Sequence, residues 1–215
     1  MGSAITMNKV LTKELIASHK INTAKYIKVD KKLEKFELNK INKELGYPCF
    51  VKASNLGSSV GIFKVNTEEE AISKVKKALK YSKEVFIEES IINAKEIEVS
   101  ILDTSKELII SIPGEINPSS EFYDYNAKYD HRAKTEHLIP VKISKKNMKK
   151  VLSIAYKAHK LLRCRGVTRS DFKFFKNKFY LLELNTQPGM TKLSLVPEIA
   201  ANRGINFIGL IEWIL

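Results

Sequence analysis

Three oxygen-bearing side chains stand out for chemistry: Asp171, Glu183 and Asn185, in the run DFKFFKNKFYLLELNTQPGMTKLS, residues 171–194. Asp171 falls in the apolar stretch VTRSDFKFF, and Glu183 and Asn185 end a second one, KFYLLELN, after a short polar turn at Lys176–Lys178. Alternation along a strand puts Arg169, Asp171 and Lys173 on one face, and Leu181, Glu183 and Asn185 together on another. A turn centred on Asn177 sets Asp171 opposite Glu183, whereas a slip of one residue separates them. Two adjacent carboxylates repel unless a cation lies between them. Carboxylate and amide oxygens are hard donors suited to Mg²⁺ or Mn²⁺, which keep positions open for water or phosphate. Arg169 is close enough to meet a developing negative charge. The plain alternative is a solvated acidic rim with Arg169 in an ion pair.

A second group of residues suits phosphate. The segment SNLGSSVG joins two strands, and its glycines and serines let backbone amides face an anion. It lacks the GK[ST] of a Walker loop, and alone it reads equally as a hairpin turn. Lys52 ends the apolar strand CFVK beside it. Lys9 opens an early helix and is read as a phosphate ligand or as surface. In EVFIEESIINAKEIE, an extended piece carrying Glu88, Glu89 and Ile91 exposes backbone groups suited to an adenine edge. Glu96 could accept from ribose hydroxyls; a linker with solvated acids is the alternative.

The elements that must position these residues are legible in the pattern. KLEKFELNKINKELG reads as a helix stopped by Gly46. Thr67 with Glu70 reads as a capping box opening TEEEAISKVKKALKYS. SKKNMKKVLSIAYKAHKLLR has the apolar period of an amphipathic helix. EVFIEES, KEIEVSILD and ELIISIPGE read as strands. Asn117–Thr135, polar but with several aromatic rings, reads as a lid. Strands and helices mix without a regular βαβ alternation, so the fold class is α+β. A division falls near Ser90–Ala94.

The chain has 215 residues with 37 Lys+Arg against 24 Asp+Glu, a net charge of +13. Only five of the basic residues are arginine, and the lysines are spread through helical stretches, so the surface reads as solvated rather than as a nucleic-acid interface. No apolar run has the roughly 18 residues needed to span a bilayer, and MGSAITMNKV is not of signal-peptide type. The expected setting is therefore cytoplasmic. Cys49 and Cys164 read as buried small hydrophobes, and His19, His131, His137 and His159 show no metal spacing.

Together MNK (Met7–Lys9), VKASNLGSSVG (Val51–Gly61), VFIEES with KEIEV, FYDYNAKY (Phe122–Tyr129), TRSD (Thr168–Asp171) and LLELNTQPGMTKLSLVP (Leu181–Pro197) resemble the D-alanine–D-alanine ligase family of the ATP-grasp superfamily. The resemblance implies an ATP-grasp fold of two α+β subdomains with nucleotide bound between them: 1–92 as the central subdomain, and 93–215 as the C-terminal one with a lid loop at about 113–140. It implies ATP and Mg²⁺ as cofactors. Lys9 and Lys52 would bind phosphates. Glu88, Glu89 and Ile91 would meet adenine, with Phe122 and Leu182 packed around it, and Glu96 would hold ribose. Asp171, Glu183 and Asn185 would coordinate the metal. Lys128 and Tyr129 would sit on the lid, with Tyr129 and Ser58 positioning the first D-alanine. Arg169 and the Gly189 amide would stabilise the tetrahedral intermediate, and Tyr123 and Ser194 would bind substrate.

The implied reaction joins two D-alanines through a D-alanyl phosphate, for peptidoglycan precursor synthesis. Family members also carry an N-terminal domain that has no counterpart here, so the expectation is ATP·Mg²⁺ binding, with ligation dependent on that domain in trans. The family's habit implies a homodimer. Two alternatives stay open: an ATP-grasp carboxylate–amine ligase for another substrate, and a non-catalytic nucleotide-binding remnant.

Overall fold

The computed structural model describes every residue except Asp30, Ser58, 104–106, 118–135, 192–193, Arg203 and Leu215. The chain divides into two compact units, each built as a sheet with helices. Both sheets are antiparallel in every recorded pairing.

The smaller unit holds Met7–Leu11 and Ala24–Ile92. Its strands are β1 (Tyr26–Val29), β2 (Cys49–Ala53), β3 (Ile62–Val65) and β4 (Val85–Glu89), in the order β1-β4-β2-β3. Helix α3 (Lys35–Lys40) continues into a wider turn at Ile41–Leu45 and stops at Gly46, whose φ is +70°. Helix α4 (Glu68–Ala78) buries Ala71, Val75 and Ala78 against Val51, Val65, Val85 and Ile87 of the sheet. The Thr67 side chain accepts from the Glu70 amide at 3.3 Å. Glu70 does not complete the expected box; its carboxylate accepts instead from the amide of Asn66 at 2.8 Å. Only one orphan amide of the α4 terminus is therefore satisfied by the cap.

The larger unit holds Met1–Thr6, Thr12–Thr23 and Asn93–Leu215. Its sheet runs β10-β9-β5-β7-β8, with β6 also paired to β5. The strands are β5 (Lys95–Asp103), β6 (Leu108–Ile110), β7 (Gly114–Asn117), β8 (Glu136–Leu138), β9 (Gly166–Phe175) and β10 (Lys178–Asn185). Helix α5 (Lys145–Leu161) lays Val151, Ala155 and Ala158 on Ile97, Val99, Ile101, Phe172 and Leu181. Its N-cap is Ser144, which accepts from the Asn147 amide at 3.2 Å. A smaller cluster, Leu102, Val167, Val196, Ala200 and Leu210, brings in α6 (Leu195–Ala201) and α7 (Phe207–Ile214).

Two boundaries differ from the sequence reading. The segment 1–92 is not one body: α1 (Gly2–Met7) and α2 (Lys9–Ser18) are shared out between the units. The reason is packing, since Ile16 and Ile21 are buried with Ile97, Val99 and Leu184 in the larger unit's core. The span 113–140 is not loop throughout: β7 and β8 pair within it, Glu115 with Leu138 and Asn117 with Glu136. Among the described residues no helix is long and apolar enough to cross a membrane. Cys49 and Cys164 are buried and free, and burial pushes each thiol up to about 11.

Candidate functional site

The hairpin β9–β10 decides where the candidate metal ligands point. Its turn is two residues, Lys176 and Asn177, both with positive φ (45° and 59°). That is the mirror-image turn favoured in tight hairpins, and asparagine tolerates it well. The register then runs Phe175↔Lys178, Phe174↔Phe179, Lys173↔Tyr180 and Phe172↔Leu181. Continued without interruption, it would set Leu182 opposite Asp171 and turn Glu183 toward the core. A bulge between Leu181 and Glu183 absorbs Leu182, so that Glu183 pairs with Asp171 and Asn185 with Arg169. The expected opposition of Asp171 and Glu183 is therefore present, but through a bulge rather than a turn centred on Asn177.

The bulge also corrects the expected faces. Leu181 does not share a face with Glu183 and Asn185; it is buried with Phe172 and Phe179 in the core. Phe179 stacks on Phe174 at 4.4 Å and meets Phe172 edge-on at 6.2 Å, which holds the two strands of the hairpin together. Such aromatic pairs are worth roughly 0.5–1.5 kcal/mol each beyond area burial. Arg169, Asp171 and Lys173 do lie on the face opposite Ser170 and Phe172, as alternation requires.

Strand β5 completes this face. Glu98 pairs with Asp171, Ser100 with Arg169, and Glu96 with Lys173. A row of three carboxylates, Glu98–Asp171–Glu183, thus crosses three neighbouring strands. Arg169 binds Asp171 with a two-pronged contact, Nε to Oδ1 and Nη2 to Oδ2, both 2.7 Å. The Asn185 amide donates to Asp171 Oδ2 at 3.1 Å, and Glu98 Oε2 lies 3.2 Å from Arg169 Nε. Burial alone would lower the Arg169 pKa, but Asp171 and Glu98, helped by Glu183, hold it well above the ordinary value. Three acids around one guanidinium leave an excess of negative charge, the condition a divalent cation would relieve. No three His, Cys, Asp or Glu side chains among the described residues form a metal-sized group; the candidate set is two acids and an amide. Its hard oxygen donors fit Mg²⁺.

Glu96 does not stand open for a ribose: it forms an ion pair with Lys173. Leu182 is the half-buried bulge residue. Gly189 and Ser194 are brought together; a Cβ built on Gly189 would come within 2.7 Å of Ser194 Oγ, so a side chain there would push that hydroxyl aside. Ser194 Oγ also accepts from the Thr191 amide at 3.1 Å.

In the smaller unit, Lys52 on β2 reaches diagonally to Glu88 on β4 and forms a buried ion pair with it. Glu88 is 2% exposed, while the Lys52 side chain keeps 14% of its surface open. Glu89 accepts from the Lys25 amide at 2.7 Å and so serves the sheet edge, while Ile91 is half-buried just beyond β4. Lys9 Nζ donates to the Leu56 carbonyl at 2.5 Å. Ser54, to which the sequence reading gave no role, ties that lysine's segment to the start of the glycine loop. Ser54 is fully buried; its hydroxyl donates to Asn8 at 2.8 Å, and its carbonyl accepts from the Lys9 amide at 3.0 Å. Gly61 closes the loop at φ +71°, where a Cβ would meet Ala53 at 2.9 Å. Ser58, Phe122, Tyr123, Lys128 and Tyr129 lie outside the described residues. Glu98, also passed over, lies two residues beyond Glu96 on the same strand face.

Two antiparallel α+β units, one with a buried lysine–carboxylate pair and the other with an arginine–carboxylate group beside a hard-donor hairpin, are the arrangement expected of an ATP-grasp fold. The comparisons sharpen that class. Residues 15–215 match the family described as D-ala D-ala ligase C-terminus. A D-alanine–D-alanine ligase of Pelagibacter ubique is 51% identical over the whole chain, which covers 69% of that protein. One of Thermoanaerobacter is 43% identical, with 60% of its length covered. The crystal structure of D-alanine–D-alanine ligase from Bacillus anthracis superposes with a TM-score of 0.83 at 32% identity, over 99% of this chain and 67% of that one. The same ligase complexed with ATP gives a TM-score of 0.80 at 30% identity, covering 99% of this chain and 66% of that one. The chain belongs to the D-alanine–D-alanine ligase family and corresponds to its C-terminal part. It spans between 60% and 69% of the length of the two relatives above.

Proposed function

We propose that this chain binds ATP with Mg²⁺ and forms the nucleotide-binding part of a ligase that joins two D-alanines. The observation that carries the reading is the pairing of Asp171 with Glu183 across a bulged hairpin, with Asn185 beside Arg169. In the larger unit, Asp171, Glu183 and Asn185 would hold Mg²⁺, which would neutralise phosphate charge during transfer. In the smaller unit, Lys9 and Lys52 would bind phosphate oxygens. Lys52 must then exchange Glu88 for the nucleotide, so binding ATP replaces one charge pair by another. Glu88, Glu89 and Ile91 would adjoin the adenine edge and Glu96 the ribose, with Leu182 packing nearby. The Glu89 and Glu96 contacts seen without ligand would have to rearrange.

D-alanine's carboxylate would take the γ-phosphoryl group, and the amine of a second D-alanine would displace phosphate. Arg169 and the Gly189 amide would face the oxyanion of that second step, a type of contact worth about 3 kcal/mol. Ser58 and Tyr129 would position the first D-alanine, Tyr123 and Ser194 would bind substrate, and Lys128 would lie on the lid. Use of ATP suits a cytoplasmic setting, and a homodimer is the assembly to look for. Calorimetric titration with ATP and Mg²⁺ tests the nucleotide claim: saturable heat is expected, and its absence from a folded sample defeats it. D-Alanine-dependent release of ADP and phosphate tests ligation. If other amino acids replace D-alanine at equal rates, the substrate assignment is wrong.

A further inference from the structure

We propose that Glu98 is a positioning residue that takes over Arg169 when a divalent cation engages Asp171. This inference rests on the Mg²⁺·ATP reading above. Arg169 and Asp171 form a closed pair, with both prongs at 2.7 Å. A metal bound to Asp171 must compete with that pair. The single hydrogen on Arg169 Nε points to Asp171 Oδ1, while Glu98 Oε2 lies 3.2 Å from the same nitrogen. A small swing of the guanidinium converts one pairing into the other.

The burial of Glu98 makes the exchange effective. The residue is 5% exposed, on a strand that pairs directly with β9. An arginine leaving Asp171 with no second carboxylate to receive it would lose its closest counter-charge in a buried setting, which is strongly unfavourable. With Glu98 in place the guanidinium keeps a counter-charge in both states and stays on the same sheet face. The other charges there do not offer this route: Glu96 is committed to Lys173, and Glu183, which also acts on Arg169, would be taken up by the same metal as Asp171. Glu98 therefore frees Asp171 for the metal and holds Arg169 where an oxyanion would form.

The test is a double-mutant cycle on Mn²⁺ affinity, read by electron paramagnetic resonance on the full chain with a non-hydrolysable ATP analogue. Glu98→Gln should weaken Mn²⁺ by about tenfold, the usual scale for losing a group that supports a metal ligand. Arg169→Met should tighten it several-fold by removing the competitor. In the double variant the Glu98→Gln effect should shrink to within about threefold of Arg169→Met, because the coupling passes through the arginine. A Glu98→Gln loss of equal size in both backgrounds overturns the proposal and makes Glu98 a direct influence on the metal. An unchanged affinity overturns it as well. A wild-type chain that binds no Mn²⁺ defeats the metal reading itself, and this proposal with it.

Glu98→Asp keeps the charge, should stay within about threefold of wild type, and serves if the glutamine variant does not fold. The NMR signal of the Arg169 Nε–H gives a readout that a purely structural role would not move. It should shift but persist when Mn²⁺ is replaced by diamagnetic Mg²⁺ in the wild type, and broaden in Glu98→Gln. A signal that does not respond to Mg²⁺ in the wild type contradicts the exchange.

Discussion

In the four-stranded unit Lys52 meets Glu88 as a matched pair, whereas in the six-stranded unit Arg169 is shared among Glu98, Asp171 and Glu183. Both arrangements are buried charge on a sheet face, yet they call for different ligands. A matched pair gains nothing from a further cation; it can release its lysine only to a competing anion. A group with surplus carboxylate is relieved by a cation. The larger unit's group is thus suited to a cation, and the smaller unit's lysine to an anion. The local sheet geometry sets this up: directly opposed residues on neighbouring strands, Lys52 with Phe86 and Glu88 with Phe50, place the smaller pair diagonally, while Glu98, Asp171 and Glu183 stand in one straight row.

The sharpest way to break this contrast is at the row. Glu183→Ala should cut Mn²⁺ affinity by at least about a hundredfold, at the upper end of what loss of metal-site residues produces, as read by a competition titration. Next comes the pair. Lys52→Met leaves Glu88 buried beside an apolar side chain and should destabilise by about 3 kcal/mol in denaturant unfolding. The double variant Lys52→Met/Glu88→Gln should recover most of that loss; no recovery would show that Lys52 acts through something other than Glu88. A smaller effect is expected for deletion of Leu182. Removing the bulge residue keeps Glu183 opposite Asp171, so Mn²⁺ affinity should fall by less than about tenfold.

The smallest effect lies away from both sites. His159 is buried between Asp103, 3.0 Å from Nε2, and Thr168, 2.8 Å from Nδ1, with Lys160 also on Asp103 at 2.9 Å. Burial lowers the His159 pKa despite Asp103, so the unfolded chain takes up a proton first on acidification. Its contribution is complete above the unfolded value of about 6.5 and is lost as pH falls toward the folded one. The thermal midpoint should therefore drop between neutral pH and pH 5, and drop less in His159→Gln.

Local pattern carried the strand faces of β9, the helix over α5 and the stop at Gly46, because each depends on neighbours along the chain. The Leu182 bulge was not legible. Nothing in LLELN marks which residue is the extra one, and the face of Leu181 follows only from the hairpin register. Glu98 was missed for a related reason. KEIEVSILD shows two acids on one face, but only the adjacency of β5 and β9 makes the second a neighbour of Arg169. The Lys52–Glu88 pair likewise joins residues 36 apart in sequence. Helix α2 was assigned to one body by order along the chain, while Ile16 is buried in the other unit's core.

The central claim, that Asp171 anchors a nucleotide-bound metal, is tested most directly by titrating the chain with ATP with and without Mg²⁺, in wild type and in Asp171→Asn. Mg²⁺ should tighten ATP by about tenfold or more in the wild type and leave it nearly unchanged in the variant. Equal tightening in both proteins would contradict the account.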